Sequence, residues 1–337
     1  MDKYFCGLDL HRESVVGCVM DFEGVVVREH EFPFSRDAFA CFLSGLPSPD
    51  IMIAIEACGM WRGAYNILSE LGYKVKLASP KKTHDIACNK KTDNVDARIL
   101  ADLLRSNYLP EVYIPGSDVL ELRDLARLKG NLTRLMVCVQ LKIKGYLLRD
   151  GVKYGKKLWV GDSLSVVASE HENVRNLVNV YEGIKKEEKE VLKRIKNTAG
   201  NMRLANLLMS MTGIAEYSAL IILAEIGDIK RFKSPKELVS YAGLCPGIYQ
   251  SGEREHGVRN QAVNKNLKWI LYECSGRASM LDPLFRSYYQ KIKQKKGFKT
   301  ARRATARKML IIMWHMLTKE ETYNPSGSFR EKGTPCA

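Results

Sequence analysis

The sequence predicts an α/β domain, then a helical arm, then a mainly α-helical C-terminal domain, and three observations predict it. Short apolar runs separated by turn residues fill the first hundred positions, heptad-spaced leucines follow from about residue 117, and apolar helices joined by a glycine turn begin near residue 203. These textures set expected segments of 1–116, 117–202 and 203–322, with a mobile tail over 323–337.

Within the first segment, Tyr4 to Leu10 and Ser14 to Met20 read as strands. Asp21-Phe22-Glu23-Gly24 supplies turn chemistry before a third strand starts at Val25-Val26-Val27, which makes an antiparallel meander. A helical stretch through Phe39 and Phe42 leads to Ile51-Met52-Ile53-Ala54-Ile55, a continuous apolar run of the kind buried on both faces. Tyr65 to Leu71 has helical spacing, Gly72 closes it, and Tyr73 to Leu77 is a fifth strand that ends before Pro80. Three meandering strands followed by alternating helix and strand is the order of an RNase H-type sheet.

In the second segment Leu125, Leu128, Leu132, Leu135 and Val139 alternate spacings of three and four, which predicts one heptad seam. Gly151, Gly155 and Gly161 interrupt it, and a Lys- and Glu-rich helix resumes over Val174 to Lys196, so the arm is expected to be a helical hairpin or coiled coil. It reads equally as a solvated spacer with a packing stripe and as a dimerisation arm. The third segment opens with Leu207 to Ala215 around Gly213 and an apolar helix, Ala219 to Ile226. That pattern resembles a helix-hairpin-helix element, whose glycine turn presents backbone N–H groups to a phosphate.

Charge narrows the function classes. Fifty-three Lys and Arg against 38 Asp and Glu leave a formal net charge of +15, which points to a polyanionic partner. No apolar run is long enough for a membrane span, and Asp9, Arg12 and Glu13 break up any secretory signal, so a cytoplasmic protein with no membrane partner is expected. The nine cysteines are scattered without a CxxC pair, which fits reduced thiols better than disulfides or zinc.

Four carboxylates carry the candidate chemistry. Asp9 ends the first strand and Glu56 ends the buried strand 51–55; in an RNase H-type sheet these strands are neighbours, so the two acids converge. Asp93 and Asp96 open the helix that continues through Leu100, Leu103 and Leu104, and their spacing of three puts them on one face. Singly, Asp9 reads as a turn acid, Glu56 as a solvated strand end, Asp93 as an N-cap and Asp96 as a first-turn acid. Jointly they form an all-oxygen donor set suited to Mg²⁺, with Mn²⁺ as a substitute. Paired ions of that kind stabilise attacking and leaving oxygens in phosphodiester chemistry.

Gly7-Leu8-Asp9-Leu10-His11, Ile55-Glu56-Ala57-Cys58-Gly59 and Lys91-Thr92-Asp93-Asn94-Val95-Asp96-Ala97 resemble the DEDD transposases of insertion sequences related to Piv-type DNA invertases. Met211-Thr212-Gly213-Ile214, the run Leu223 to Phe232 and the run Ser240 to Gly252 are similar to that family's C-terminal transposase domain. The resemblance spans about residues 4 to 320. It implies a RuvC-like, RNase H-fold domain carrying Asp9, Glu56, Asp93 and Asp96 as catalytic and metal-binding residues, a coiled-coil arm, and a C-terminal domain with Ser251 as nucleophile. It also implies donor and target DNA as substrates, a structured guide RNA encoded by the element, and a dimer or tetramer in the synapse. The chain departs from the family at Gln261 and Val263, where Lys and Gly commonly precede the Asn matching Asn264.

A serine hydroxyl is a weak nucleophile at neutral pH and needs a base, a metal or strong charge stabilisation. Read without the family, Ser251 is a turn serine, and Tyr249 competes as nucleophile because Arg254, His256 and Arg259 stand nearby. Expected nucleic-acid contacts are Lys90, Lys91, Arg98 and Arg105 beside the acids, Arg254, Arg259, Lys265 and Lys268 after Ser251, and Arg302 and Arg303 in a basic block that runs from Lys291 to Lys308. Two rivals share these features: a nuclease resembling Holliday-junction resolvases, which cuts with metal-activated water, and a non-catalytic nucleic-acid-binding protein.

Overall fold

The computed structural model describes residues 3–46, 50–87, 93–159, 163–245, 248–251, 254–257 and 263–325. The chain divides into two units, Met1–Ile114 and Pro115–Ala337.

The first unit is built in the order β1 (Tyr4–Leu10), β2 (Ser14–Met20), β3 (Val26–Pro33), α1 (Arg36–Leu43), β4 (Ile51–Glu56), α2 (Trp61–Glu70), β5 (Lys74–Ala78), α3 (Pro80–Ala87), α4 (Asp93–Arg105) and β6 (Glu111–Val112). The strands form one mixed sheet in the order β3-β2-β1-β4-β5-β6. The first three strands are an antiparallel meander, β1, β4 and β5 run parallel, and β6 closes the far edge antiparallel to β5. The third strand is longer than the valine run suggests, because Glu29, Glu31 and His30 continue the ladder on a half-solvated edge.

Both faces of the central strands are covered, which explains their unbroken apolar sequences. On one face Cys6, Leu8, Leu10, Ile53 and Ile55 pack with Phe39, Phe42, Ala64 and Leu68 of α1 and α2. On the other, Phe5 and Ala54 pack with Leu100, Leu103 and Leu104 of α4. Gly7 lets α4 lie directly on β1: a Cβ there would come within 2.1 Å of the Ala97 carbonyl oxygen and 2.6 Å of the Ala101 nitrogen. Cys6 and Cys18 are buried thiols; burial, with Glu29 adding to it, pushes the Cys18 pKa up to about 11 and makes it inert at neutral pH.

The second unit continues with α5 (Ser117–Arg149), a 3₁₀ turn at Lys156–Trp159, α6 (Ser163–Glu170), α7 (Glu172–Gly200), α8 (Arg203–Met209), α9 (Glu216–Ile226), α10 (Pro235–Tyr241), the hairpin β7 (Ile248–Ser251) and β8 (Arg254–Gly257), α11 (Lys265–Leu281) and α12 (Pro283–Lys319). Helices α5 and α7 form the arm. Its far end has its own small core of Ile143, Leu147, Leu158, Leu164, Val174, Val178 and Tyr181. Its near end, through Ala126, Val191, Ile195 and Ala199, belongs to the same core as α8 to α12.

The inward face of α5 differs from the predicted seam. Leu125 and Leu132 pack on the larger core and Val139 on the smaller one, whereas Leu128 and Leu135 are 41% and 53% exposed. Helices α7 and α9 both pack against α5, and the stripe that turns inward has a spacing of seven, widened by Ala126, Met136 and Ile143. The expected tail boundary at Tyr323 falls on a held residue: its ring stacks on Phe285, its hydroxyl donates to Asp282 Oδ2 at 3.1 Å, and its N–H donates to Ser210 Oγ at 2.8 Å. Residues 326–337 lie outside the described residues.

Candidate active site

Sheet register places the first two acids. Leu8 pairs with Ile55 in the parallel β1–β4 ladder, so Asp9 and Glu56 are the next residues on two adjoining strand ends. Adjacent strands are about 4.8 Å apart, and side chains alternate faces. Leu8 and Ile55 point into the α1–α2 core, so Asp9 and Glu56 are directed to the opposite face, the one covered by α4. Both are half-buried, and His11 Nε2 lies 3.3 Å from Asp9 Oδ2.

Helix α4 brings the second pair to that edge. Ala97 sits over Gly7, while Leu100 and Leu104 lie with Phe5, further back along β1. The helix therefore runs antiparallel to β1 and begins over the strand ends. From Gly7 to Asp9 is about 6.7 Å along the strand, and from Ala97 to Asp93 about one turn of helix, roughly 5.4 Å, so the first turn of α4 overlies the Asp9 end of the sheet. Asp96 is half-buried in that turn. The Asp93 side chain lies outside the described residues, and among those described no three His, Cys, Asp or Glu side chains group as a metal site.

Ser251 closes β7, and its backbone pairs with Arg254 at the turn of the β7–β8 hairpin. Tyr249 is paired with His256 in the same ladder. The side chains of Tyr249 and Ser251 lie outside the described residues.

Several basic candidates hold the protein together. Arg98 makes a bidentate pair with Glu29 of β3, with Nε at 2.7 Å, and this hydrogen bond holds the Glu29 carboxyl below the usual carboxylate range. Arg105 donates to Asp102 and to the Phe22 carbonyl. Arg302 ties α12 to α11 by donating to the Tyr272 carbonyl at 3.1 Å and to Glu273 Oε1 at 3.0 Å. Lys265 and Arg303 are exposed, and Lys268 is half-buried in the first turn of α11. Lys291, Lys293, Lys295, Lys296 and Lys299 are exposed on either side of Gly297, where α12 is interrupted. Lys90, Lys91 and Arg259 lie outside the described residues, as does the side chain of Arg254. The glycine turn at Gly213 is seated against α11, where a Cβ would come within 2.9 Å of the Ala278 nitrogen.

A polar cluster that sequence reading missed lies in the second unit. Glu225 is 1% exposed within the apolar helix α9, and Arg127 of α5 grips both its oxygens at 2.9 Å. Asn264 Nδ2 donates to Oε2 at 2.8 Å and Asn266 Nδ2 to Oε1 at 3.0 Å. Burial alone would raise the Glu225 pKa, but these four donors outweigh it and hold the carboxyl below its ordinary value. The available signal was one acid inside an otherwise apolar run, since a buried charge is costly unless it is paired.

Comparison with known proteins decides the family. A family model described as a DEDD transposase of the IS110 group matches residues 6–149, and one described as "Transposase IS116/IS110/IS902 family" matches residues 205–290. The chain belongs to the DEDD transposases of insertion sequences. Among relatives of this transposase, that of insertion sequence IS1328 from Yersinia enterocolitica is 25% identical over 279 residues, covering 80% of this chain and 82% of its own. The transposase of IS1111A from Coxiella burnetii is 24% identical over 345 residues, with 96% and 92% covered. The pilin gene-inverting protein of Moraxella bovis is 22% identical over 337 residues, with 96% and 98% covered. As a transposase the protein is an enzyme that cuts and joins DNA, and its DEDD family implies a divalent metal cation. The oxygen-only chemistry of Asp9, Glu56 and Asp96 fits such a cation. No helix among the described residues is long and apolar enough to cross a membrane.

Proposed function

We propose that this transposase cleaves and rejoins DNA through a covalent phosphoserine intermediate, with Asp9, Glu56, Asp93 and Asp96 holding Mg²⁺ and Ser251 as nucleophile. The observation that carries the reading is the β1–β4 register, which sets Asp9 beside Glu56 under the first turn of α4. The strand order β3-β2-β1-β4-β5, antiparallel then parallel, supports an RNase H-type, RuvC-like assignment for this sheet. Neighbouring carboxylates repel unless a cation lies between them, so the arrangement favours metal over an empty pair.

In the proposed step the Ser251 oxygen bonds to a backbone phosphorus as the bond to the 3′-oxygen breaks. The serine proton passes to a base and the leaving 3′-oxygen takes one up, giving a 5′-phosphoserine and a free 3′-hydroxyl. One phosphoester replaces another, so the reverse attack by a 3′-hydroxyl rejoins DNA without ATP. Bound metal would supply Lewis-acid stabilisation of charge on the phosphate oxygens. The exposed lysines around Gly297 suit phosphate backbones, and a structured guide RNA encoded by the element would provide the target sequence by base pairing. A homo-oligomer, dimer or tetramer, would hold donor and target together.

A nicked suicide substrate tests the chemistry. Wild-type protein should form a denaturant-resistant adduct with the DNA, and Ser251→Ala should form none while still binding DNA. Adducts that survive Ser251→Ala would contradict the proposal, and cleavage without any adduct would favour a nuclease that uses water.

A further inference from the structure

We infer that the buried Glu225 cluster is a positioning device that clamps the two feet of the Ser251 hairpin. The inference rests on the reading of Ser251 as nucleophile and adds residues that act on it through the backbone.

In sequence the β7–β8 hairpin falls between Gly243 and Val263, which lie in contact. Asn264, the residue after Val263, has every polar group engaged. Its backbone N–H donates to the Tyr241 carbonyl at 2.9 Å, which ties the returning strand to the departing one. Its side-chain amide donates to Glu225 Oε2 and to the Tyr241 hydroxyl at 3.0 Å, its Oδ1 accepts from Leu267 N at 2.9 Å as the N-cap of α11, and its carbonyl accepts from Lys268. The Tyr241 hydroxyl in turn donates to the Glu225 carbonyl at 3.1 Å. Gly243 completes the closure: with φ +67 it faces Val263 so closely that a Cβ would lie 2.7 Å from the valine Cγ1.

Glu225 is thus the fixed point to which both feet are bound, one through Tyr241 and the other through Asn264. Arg127, and Arg123 donating to the Ala224 carbonyl at 2.6 Å, anchor that point to the arm helix. A buried carboxylate with four directed donors allows little rotation, whereas an apolar contact at the same place would let the feet slide. Positional control matters here because a nucleophile displaced by about 1 Å loses on the order of a hundredfold in rate.

Asn264→Ser isolates the clamp, since serine still caps α11 but lacks the amide that reaches Glu225 and Tyr241. Hydrogen–deuterium exchange of the full chain should show at least a tenfold faster exchange over residues 245–262 with exchange in α9 unchanged. Single-turnover adduct formation at saturating DNA should fall about tenfold to a hundredfold, with DNA affinity held within about twofold. Unchanged exchange over 245–262 in Asn264→Ser would overturn the clamp, as would loss of protection spread equally through α9. If wild-type protein gives no Ser251-dependent adduct, the proposed chemistry fails while the exchange experiment still decides the clamp.

Discussion

Carboxylates are used in opposite ways in the two units. Asp9 and Glu56 sit side by side at strand ends with a third acid in the helix turn above them, half-buried and facing one sheet edge, and the described partner of Asp9 is a histidine at 3.3 Å. Glu225 is gripped instead by one guanidinium and two amides and is sealed from solvent. The first grouping concentrates like charge and so invites a cation; the second neutralises a single charge internally and is complete without one. Density of acids, rather than depth of burial, separates the proposed site of chemistry from the structural support.

The largest effect should come from the sheet edge. Asp9→Asn or Glu56→Gln should reduce DNA cleavage about a thousandfold, the scale of losing several kcal/mol of transition-state charge stabilisation, with DNA binding retained in filter or gel assays. Cleavage within tenfold of wild type in either variant would erase the contrast with Glu225. Next in size is Gly7→Ala, whose Cβ meets helix backbone and must lift α4 from β1. It should cost about 3 kcal/mol in chemical denaturation and weaken cleavage more than binding, because the shifted turn carries Asp93 and Asp96.

Glu225→Gln should cost about 3 kcal/mol near neutral pH, and its pH dependence is the sharper readout. The folded pKa of Glu225 lies below its unfolded value, so its contribution is fully present above about pH 4.3 and is lost as pH falls through the folded value. The stability gap between wild type and Glu225→Gln, followed by urea titration from pH 7 downward, should therefore shrink in the acid range. A gap independent of pH would mean that the carboxylate is not paired as described. Smallest is a contrast within the arm: Leu147→Ala should cost about 3 kcal/mol, whereas Leu135→Lys on the exposed face should stay within about 0.5 kcal/mol.

Much of the first unit was legible because strands buried on both faces advertise themselves as unbroken apolar runs, and Asp9 and Glu56 stand immediately where two such runs stop. The arm was harder. Leucines at alternating spacings of three and four mark a helix face, but they do not say that Leu128 and Leu135 stay exposed while Leu125, Leu132 and Val139 turn inward. Arg98 and Arg105 show the same limit for charge: the expectation of phosphate contacts did not disclose that Glu29, far away in sequence, and Asp102, one turn back, engage them. The Glu225 cluster draws on α5, α9, α10 and α11, and no local pattern announces a pairing across ninety-eight positions between Arg127 and Glu225.

Central to the proposed function is a covalent link between DNA and Ser251 whose formation requires the metal-binding acids of the sheet edge. Mass spectrometry of the peptide left on DNA after a suicide substrate is trapped with Mg²⁺ tests it most directly. A nucleotide linked to Ser251 is expected, formed by wild-type protein and lost when Asp9 is replaced by Asn. Linkage to Tyr249, or an adduct that forms equally well with Asp9→Asn, would contradict it.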